Sequence, residues 1–418
     1  MKKLSVLIAA AFGLALPLYA QAAAGDLDPS FGSGGKVRTD FSGSSEDHAR
    51  SVAVAPGGKV VVAGFSDMGG GRDFALARYR HDGSLDPSFG SGGKVLTDFG
   101  GPSDLALDAA LAPNGKIVAA GASLVGGDFE FALARYNGDG SLDASFGSGG
   151  KVLTHLGLFF EEATGVAVEP NGKIVAAGTS DSDFAVARYN RDGSLDPSFG
   201  SGGTVITGFG PGSFDEAWGV GIAPGGKIVV AGESGGDFAL VRYDRNGKLD
   251  TSFGSGGKVL TNIGGASSDA ALAVAVEPNG KIVAAGHTGT APFTDFDFAL
   301  VRYNRDGNVD PSFGSGGRVV TAFGVARFDE AWGVAIQPEG KIVAAGLTNA
   351  SADDEFAVAR YDHNGSLDRS FGSGGKIMSG SIGQEAFDVA LEPSGKAIVA
   401  GDGFGTSEDF AVARLLAR

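Results

Sequence analysis

The chain's only two tryptophans lie in two copies of the segment Phe-Asp-Glu-Ala-Trp-Gly, which places two carboxylates close to an indole ring. The acidic and aromatic residues of the two copies are Asp215, Glu216, Trp218, Asp329, Glu330 and Trp332. Carboxylates beside aromatic rings can hold a cation, an amine or a sugar ring. We therefore predict a ligand site formed by these six residues. The alternative is structural: the acids solvate strand ends and the tryptophans pack between repeated units.

A second pattern offers oxygen ligands for a metal ion. Asn190, Asp192 and Asp196 are spaced around Gly193 in a way that resembles the start of a calcium-binding loop. The glutamate that completes such loops is absent. Asn-x-Asp-Gly is also typical of a plain turn, so calcium is the alternative to a purely structural turn. No other cofactor is predicted.

Two further segments resemble catalytic motifs without their context. The segment 232–236 fits G-x-S-x-G, but its Ser234 shares a repeat position with Ser66, Ser123 and Ser180, and no His is placed to act as its base. The segments Phe-Gly-Ser-Gly-Gly-Lys lack the Ser or Thr that follows the Lys of a phosphate-binding loop. We therefore predict no catalytic residues.

The composition excludes several functional classes. The 418 residues include no cysteine, which rules out disulfides, thiolate metal sites and cysteine nucleophiles. A formal net charge of −16 argues against nucleic-acid binding, because a phosphate-binding face needs clustered Lys and Arg. With 43 % hydrophobic residues, the chain can bury a substantial core.

The first 22 residues predict a signal peptide. Lys2 and Lys3 precede an apolar run interrupted by Pro17, and the segment 20–22 matches a small-x-small cleavage site. We expect an exported protein, periplasmic or extracellular, whose mature chain begins at residue 23 and has no membrane span.

Residues 23–418 consist of one unit repeated seven times. The sequence Leu-Asp-Pro-Ser-Phe-Gly-Ser-Gly-Gly-Lys at Leu27 recurs unchanged at Leu85, and near-copies follow five more times. The aspartates of this element stand at positions 28, 86, 143, 196, 250, 310 and 368, about 57 residues apart. The period predicts one structural module per copy.

Within a unit the pattern predicts four short strands. The apolar runs 165–169 and 173–178 are joined by Asn171-Gly172, which predicts a hairpin with a type I′ turn. The segments 183–189 and 204–207 follow as the third and fourth strands. Four antiparallel strands per unit are typical of propeller blades, so we predict an all-β fold, a seven-bladed β-propeller.

The arrangement of the copies also predicts how the ring closes. The chain begins with a lone fourth strand and ends on a third strand, so the N-terminal strand should complete the last blade. The first strand of each unit should lie innermost. An arginine on each third strand, such as Arg188, should pair with the aspartate of the repeated Leu-Asp element, such as Asp196.

The segments Val-Ala-Val-Glu-Pro-Asn-Gly-Lys-Ile-Val-Ala-Ala-Gly (166–178) and Asp-Phe-Ala-Val-Ala-Arg-Tyr-Asn-Arg-Asp-Gly-Ser-Leu-Asp (183–196) resemble the delta-60 repeat, a bacterial β-propeller repeat family of unassigned function. More distantly, the units are similar to NHL propeller repeats. The resemblance covers about residues 25–418. It implies a propeller in an exported or surface setting, and it implies no catalytic residues.

These patterns predict a binding or interaction scaffold rather than an enzyme, because near-identical units supply equivalent positions while catalysis needs different ones. The expected partner is a protein or a glycan, and the expected state is a monomer. Two alternatives stay open: a polysaccharide hydrolase or lyase that uses channel carboxylates, and a purely structural envelope module.

Overall fold

The computed structural model describes residues 23–43, 45–157, 160–264, 267–290, 295–324, 328–350, 353–403 and 408–417. The predicted signal peptide lies outside these residues. Within them, 28 strands form seven four-stranded antiparallel sheets, which are the blades of a propeller. The predicted all-β, seven-bladed propeller is confirmed. The described residues contain no helix that could span a membrane.

The strands of each blade follow one another from the central channel outward. The innermost strands are β2 (Glu46–Ala55), β6 (Asp104–Leu111), β10 (Glu161–Val168), β14 (Asp215–Ala223), β18 (Ser267–Val276), β22 (Asp329–Ile336) and β26 (Glu385–Leu391). The second strands are β3 (Lys59–Asp67), β7 (Ile117–Val125), β11 (Ile174–Ser180), β15 (Lys227–Ser234), β19 (Ile282–Thr290), β23 (Ile342–Thr348) and β27 (Ala397–Asp402).

The outer half of each blade has the third and fourth strands. The third strands are β4 (Arg72–Tyr79), β8 (Asp128–Tyr136), β12 (Asp183–Tyr189), β16 (Asp237–Tyr243), β20 (Phe296–Tyr303), β24 (Glu355–Tyr361) and β28 (Phe410–Leu415). The outermost strands are β5 (Lys94–Thr97), β9 (Lys151–Thr154), β13 (Thr204–Thr207), β17 (Lys258–Thr261), β21 (Arg318–Thr321), β25 (Lys376–Ser379) and β1 (Lys36–Thr39). Blades 1 to 6 are consecutive, from β2–β5 to β22–β25, and blade 7 consists of β26, β27, β28 and β1.

The N-terminal strand closes the ring as predicted. β1 pairs antiparallel with β28, from Lys36 opposite Ala413 to Thr39 opposite Phe410. Blade 7 therefore has four strands, although its outermost strand comes from the opposite end of the chain.

The hydrophobic core is divided among the seams between blades. Between blades 3 and 4, for example, Val175 and Phe184 of one blade pack with Ala217 and Ile228 of the next. Seven such clusters are present in the described residues, each shared by two adjacent blades. A blade thus buries its two faces only through its neighbours, which makes the complete ring the stable unit.

A repeated ion cluster, which we call the arginine clamp, joins the blades on the side where the innermost strands end. Arg188 Nε donates to Asp196 Oδ2 at 2.7 Å, and Lys173 Nζ donates to the same oxygen at 2.6 Å. Another nitrogen of Arg188 donates to the carbonyl of Arg245 in the next blade, and the guanidinium lies 4.7 Å from the ring centroid of Phe199. The predicted arginine–aspartate pairing is confirmed in every blade: Arg78–Asp86, Arg135–Asp143, Arg188–Asp196, Arg242–Asp250, Arg302–Asp310, Arg360–Asp368 and Arg414–Asp28.

The prediction of a type I′ turn at Asn171-Gly172 was wrong. Gly172 has a φ of +83°, but Asn171 is not among the residues with positive φ. Instead, Gly172 N donates to the carbonyl of Glu169, which closes a turn with one left-handed glycine. Two consecutive positive φ angles occur at Asp181 and Ser182, between β11 and β12, where the sequence has no glycine.

Candidate functional site

The innermost strands surround the central channel, and each has a β-bulge near its start. In blade 4 the pairing with β15 shifts between Ala217 and Gly219, so Trp218 is the extra residue of the bulge. The corresponding residues of the seven blades, here called the bulge ring, are Arg50, Leu107, Thr164, Trp218, Leu272, Trp332 and Phe387. All seven line a single cavity of about 520 Å³.

A glycine on the second strand makes each bulge possible. A Cβ at Gly232 would lie 1.9 Å from the carbonyl oxygen of Glu216, and one at Gly346 would lie 1.7 Å from that of Glu330. Every second strand has a glycine in this situation: Gly64, Gly121, Gly178, Gly232, Gly286, Gly346 and Gly401. The repeated Ala-Gly of the second strand is therefore the sequence signal for the bulge ring, and our pattern analysis missed it.

Aromatic side chains form one wall of the cavity. The rings of Trp218 and Trp332 meet edge to face with centroids 5.6 Å apart, although their blades are not adjacent. Trp332 also lies 5.6 Å from Phe387, and the guanidinium of Arg50 stands 3.7 Å from the Phe387 ring centroid. The Nε1 atom of Trp332 is buried, and its N–H is directed to the carboxyl group of Glu330, which partly offsets the effect of burial on the pKa of that glutamate. The tryptophans thus contact each other in the channel rather than packing between neighbouring blades.

Glutamates lie two residues before the bulge ring in four blades. They are Glu162, Glu216, Glu330 and Glu385, all half-buried. Burial raises the pKa of Glu162 and of Glu330 to about 7, and it also raises the pKa of Glu216. Carboxylates whose pKa rises on burial have lost water without gaining an equivalent cation.

The two predicted aspartates have a different location. Asp215 and Asp329 are fully buried, and their carboxylates accept hydrogen bonds from the backbone amides of Phe209 at 2.7 Å and Phe323 at 2.8 Å. They anchor the segment that arrives from the preceding blade. Side chains alternate along a strand, so Glu216 and Glu330 lie on the opposite side of their strands from the buried aspartates and are half-buried. Ligand binding by the six residues of the predicted site stays a prediction.

Two aspartates of the cavity, Asp108 and Asp388, and the buried Ser51 between them were missed by the sequence analysis. Ser51 Oγ lies 2.8 Å from Asp108 Oδ1 and 3.1 Å from Asp388 Oδ2, so one hydroxyl hydrogen serves two carboxyl groups. Burial raises the pKa of Asp388 to about 7, and the charge of Asp108 adds to this rise. The available signal was that these three residues stand where the other blades have glycine or alanine: Gly165, Gly219, Ala273 and Gly333.

Two of the predicted calcium ligands, Asp192 and Asp196, accept hydrogen bonds from protein donors, and the third, Asn190, donates its side-chain amide to Ser194 and Leu195. In the arginine clamp, Asp196 Oδ2 accepts hydrogen bonds from Arg188 and Lys173. Its other oxygen, Oδ1, accepts hydrogen bonds from the amide and the hydroxyl of Ser198. Asp192 Oδ1 accepts from the amide and hydroxyl of Ser194, as in an Asx turn. The geometry is that of the plain turn.

Other acidic groupings lie near the start of the innermost strands. Potential metal ligands come together in three sets within the described residues: His48 with Asp402 and Glu408, Asp40 with Asp47 and Asp409, and Asp73 with Asp98 and Asp104. In the first set, His48 Nδ1 lies 2.8 Å from Asp402 and 3.0 Å from Glu408. The imidazole already has two carboxylate partners there, and Arg50 also approaches Asp402, at 3.8 Å.

Comparison with known proteins agrees with this architecture. A family model described as a β-propeller domain of unknown function, DUF5122, matches residues 56–89, 112–146, 169–199, 224–253, 277–313 and 337–371. The chain belongs to a β-propeller repeat family. Each match runs from the turn after the innermost strand to the repeated Leu-Asp element. The seventh segment of this kind is not continuous in the sequence, because blade 7 is formed by strands from both ends of the chain.

Solved propellers resemble the chain in fold at low sequence identity. A protein from Lactobacillus plantarum has a TM-score of 0.51 and 12 % identity, covering 86 % of this chain and 99 % of its own. Virginiamycin B lyase from Staphylococcus aureus has a TM-score of 0.50 and 9 % sequence identity, and the match covers 91 % of this chain and 98 % of the lyase. The WD40 propeller domain of Doa1 has a TM-score of 0.50 and 11 % sequence identity, and the match covers 91 % of this chain and 96 % of that domain. Among curated proteins, none is significantly similar in sequence to this chain.

Proposed function

We propose that this protein is a binding scaffold whose ligand site is the cavity lined by the bulge ring. We call this end of the central channel the channel mouth. The main support for this proposal is that the blades differ in residue type at the bulge ring, although they are alike in most of the repeat. The arginine clamp has the same arginine and aspartate in every blade, whereas the bulge ring holds Arg, Leu, Thr, Trp, Leu, Trp and Phe around one cavity. Residues that differ between otherwise equivalent positions, and that converge on a cavity, are the expected mark of a ligand site.

The repeats, in this proposal, are of the delta-60 type, and the chain is exported after loss of residues 1–22. It works in the periplasm or outside the cell as a monomer, and its partner is a protein or a glycan. The segments quoted above for the resemblance and the charge and hydropathy pattern of the first residues support this setting.

The test is a thermal-shift screen of the chain from residue 23 against sugars, amines and cell-wall fragments. We expect a compound that raises the Tm of the wild type and leaves the Tm of the variant Trp218→Ala/Trp332→Ala unchanged. Met378→Ala is the control, because Met378 is exposed on an outermost strand far from the cavity. A shift that persists in the tryptophan variant, or a screen without any shift, would contradict a ligand site at the channel mouth.

A second candidate function is hydrolysis or elimination on a polysaccharide by Asp108 and Asp388. The observation that favours it is a pair of carboxyl groups in the cavity, one of which has a pKa near 7. Against it, both carboxylates bind neighbouring blades: Asp388 accepts from Val52 N at 2.8 Å and Asp108 from Val166 N at 2.7 Å. Product release from polysaccharides by the wild type, lost in Asp388→Asn while the Tm is unchanged, would establish the enzyme.

A further inference from the structure

The arginine clamps are not identical, because only some blades add a glutamate to the cluster. In blade 3, Glu169 begins the turn that leads to β11, and its Oε1 atom lies 3.5 Å from Arg188 Nη1. The other oxygen, Oε2, accepts a hydrogen bond of 2.7 Å from the side-chain amide of Asn171 in the same turn. Two donors therefore hold the Glu169 carboxylate: the guanidinium of the clamp and the amide of the turn.

Blades 5 and 7 hold a glutamate in the same way. In blade 7, Glu392 Oε1 accepts from Arg414 Nη1 at 3.2 Å, and Oε2 accepts from the hydroxyl of Ser394 at 3.0 Å. In blade 5, Glu277 Oε2 accepts from the amide of Asn279 at 2.6 Å. The clamp of each of these three blades combines an arginine and a lysine with two carboxylates, so its charges balance.

Blade 2 has the donors of this arrangement without the carboxylate. Ala112 stands where blade 3 has Glu169, and the same backbone hydrogen bond, 2.8 Å long in both blades, closes the turn that follows. Asn114 has the position of Asn171 in this turn. The oxygen of its side chain accepts from a backbone amide, but its side-chain nitrogen has no hydrogen-bond partner among the described residues.

The arginine of the blade 2 clamp also has an N–H group without an acceptor. The side chain of Arg135 is only 9 % exposed, and its Nε and Nη2 atoms bind Asp143 and Ser145. Nη1 has two hydrogens, and its one acceptor in the described part of the chain is the carbonyl of Arg191. Lys116 also binds Asp143, so two cations share a single carboxylate in this clamp.

A cavity of about 460 Å³ lies at this place, between blades 2 and 3. Ala112, Asn114 and Arg135 line it, and Pro113 and Pro170 are among its apolar residues. The one carboxylate among the lining residues belongs to Asp192, which is exposed and forms the Asx turn described above. The space that Glu169 fills in blade 3 is therefore open to a ligand in blade 2.

The sequence gives no other blade this combination. Blades 1 and 4 also have an alanine before the turn, but a glycine, Gly57 or Gly225, takes the place of Asn114. In blade 6 the position is filled by Gln337, whose amide nitrogen donates to a backbone carbonyl of blade 7. Only blade 2 thus retains both donors of the carboxylate while it lacks the carboxylate itself.

We infer that the cavity between blades 2 and 3 binds a ligand through a carboxylate group, held by Arg135 Nη1 and Asn114 Nδ2 as Glu169 is held in blade 3. The single negative charge balances the clamp of blade 2, and the apolar residues of the cavity pack against the body of the ligand. The clamps lie where the innermost strands end, opposite the channel mouth, so the inference does not depend on the proposed function.

The carboxylate has two sources, a free small acid or the C-terminus of a peptide. Isothermal titration calorimetry on the chain from residue 23 separates them, with hexanoate and the peptide acetyl-Gly-Gly-Leu as probes. Hexanamide and the C-terminal amide of the peptide are the uncharged comparisons, and inorganic phosphate is the comparison anion. Binding of both probes would identify the carboxylate alone as the recognised group, whereas binding of the peptide alone would identify a C-terminus.

The decisive variant is Ala112→Glu, which gives blade 2 the carboxylate that blade 3 already has. We expect it to weaken binding of the carboxylate probe by about tenfold or more, as for the loss of a charge-assisted hydrogen bond. Asn114→Gly should also weaken binding, and it does so without filling the cavity. The matched control is Met378→Glu, which adds the same charge at an exposed position of β25 and should leave the affinity unchanged.

Several results would overturn the inference. Equal losses in Ala112→Glu and Met378→Glu would mean repulsion by net charge alone. Unchanged affinity in Ala112→Glu or in Asn114→Gly would mean that the probe binds elsewhere. Binding of phosphate or hexanamide as tight as that of hexanoate would contradict recognition of a carboxylate, and so would the absence of binding by both carboxylate probes.

Discussion

Glutamates at the channel mouth and aspartates of the arginine clamps respond to pH in opposite directions. Burial raises the pKa of Glu330 to about 7, so between about pH 4.3 and 7 the folded protein holds a proton that the unfolded chain releases. Stability therefore falls as the pH rises through this window. In Asp196 burial alone would raise the pKa, but hydrogen bonds from Lys173 and Ser198 lower it below its usual range. That contribution is present above about pH 3.9 and is lost as the pH falls.

Glu330→Gln removes the cost of ionising a buried carboxyl, so we expect its Tm to match the wild type at pH 5 and to exceed it at pH 8. Thermal unfolding followed by circular dichroism across this range is the measurement, with the exposed turn variant Glu339→Gln as the control. A Tm difference that does not grow with pH would contradict the assigned pKa direction.

Residue types alone indicated the tryptophans and glutamates of the channel, because carboxylates beside indole rings suggest a site wherever they occur. They did not indicate which of two consecutive acids is fully buried. Asp215 and Glu216 differ in exposure only because the strand alternates, and the bulge at Trp218 then resets that alternation. Asp108 and Asp388 were missed because a single substitution of glycine by aspartate has no local pattern.

At the scale of the strand, each bulge depends on a glycine of the second strand, because a side chain there would collide with a backbone carbonyl of the innermost strand. We expect Gly232→Ala to lower the free energy of unfolding by more than about 2 kcal/mol, because its Cβ would lie 1.9 Å from the Glu216 carbonyl oxygen. Chemical denaturation measures the change. The strand must shift or lose the bulge, so Trp218 should also move, which its fluorescence would report.

Gly138→Ala is the matched control for this substitution. No atom lies within 4 Å of a Cβ at Gly138, and its φ is not in the left-handed region. Other blades have Arg191 and Arg245 at the same turn position. We expect a change near zero. Comparable losses in both variants would mean that the bulge does not depend on Gly232.

The strands themselves were predictable because their signals are local. Apolar alternation and recurrent turn residues mark four strands per unit, and counting strands at the two ends predicts which blade is completed by β1. The turn at Asn171-Gly172 was not predictable in detail, because Pro170 precedes it and the pairing of Glu169 with Lys173 leaves a turn that needs only one left-handed residue. Such register choices depend on how the flanking strands pair.

At the scale of the whole molecule, stability depends on the junction of the two chain ends. Arg38 on β1 lies opposite Ala411 on β28, and cross-strand Cα distances of about 4.5–5.5 Å suit a disulfide. The chain has no cysteine, so Arg38→Cys/Ala411→Cys provides one unambiguous pair. We expect spontaneous oxidation, a Tm raised by several degrees and return to the wild-type value under reductant. Failure of the cysteines to link, or an unchanged Tm after linkage, would contradict closure by β1.

Closure by β1 also imposes an order on folding. The ion pair between Arg414 and Asp28 joins residues 386 positions apart, whereas the strands of blades 1 to 6 pair with immediate neighbours in the chain. Blades 1 to 6 can therefore form from short loops, but the last requires both ends to meet. Until they do, the molecule is an open arc that exposes an unpaired β28 edge and the apolar outer faces of its terminal blades. We therefore expect the pairing of β1 with β28 to be the slow step of folding. The chain should be most prone to aggregation in the time before this pairing.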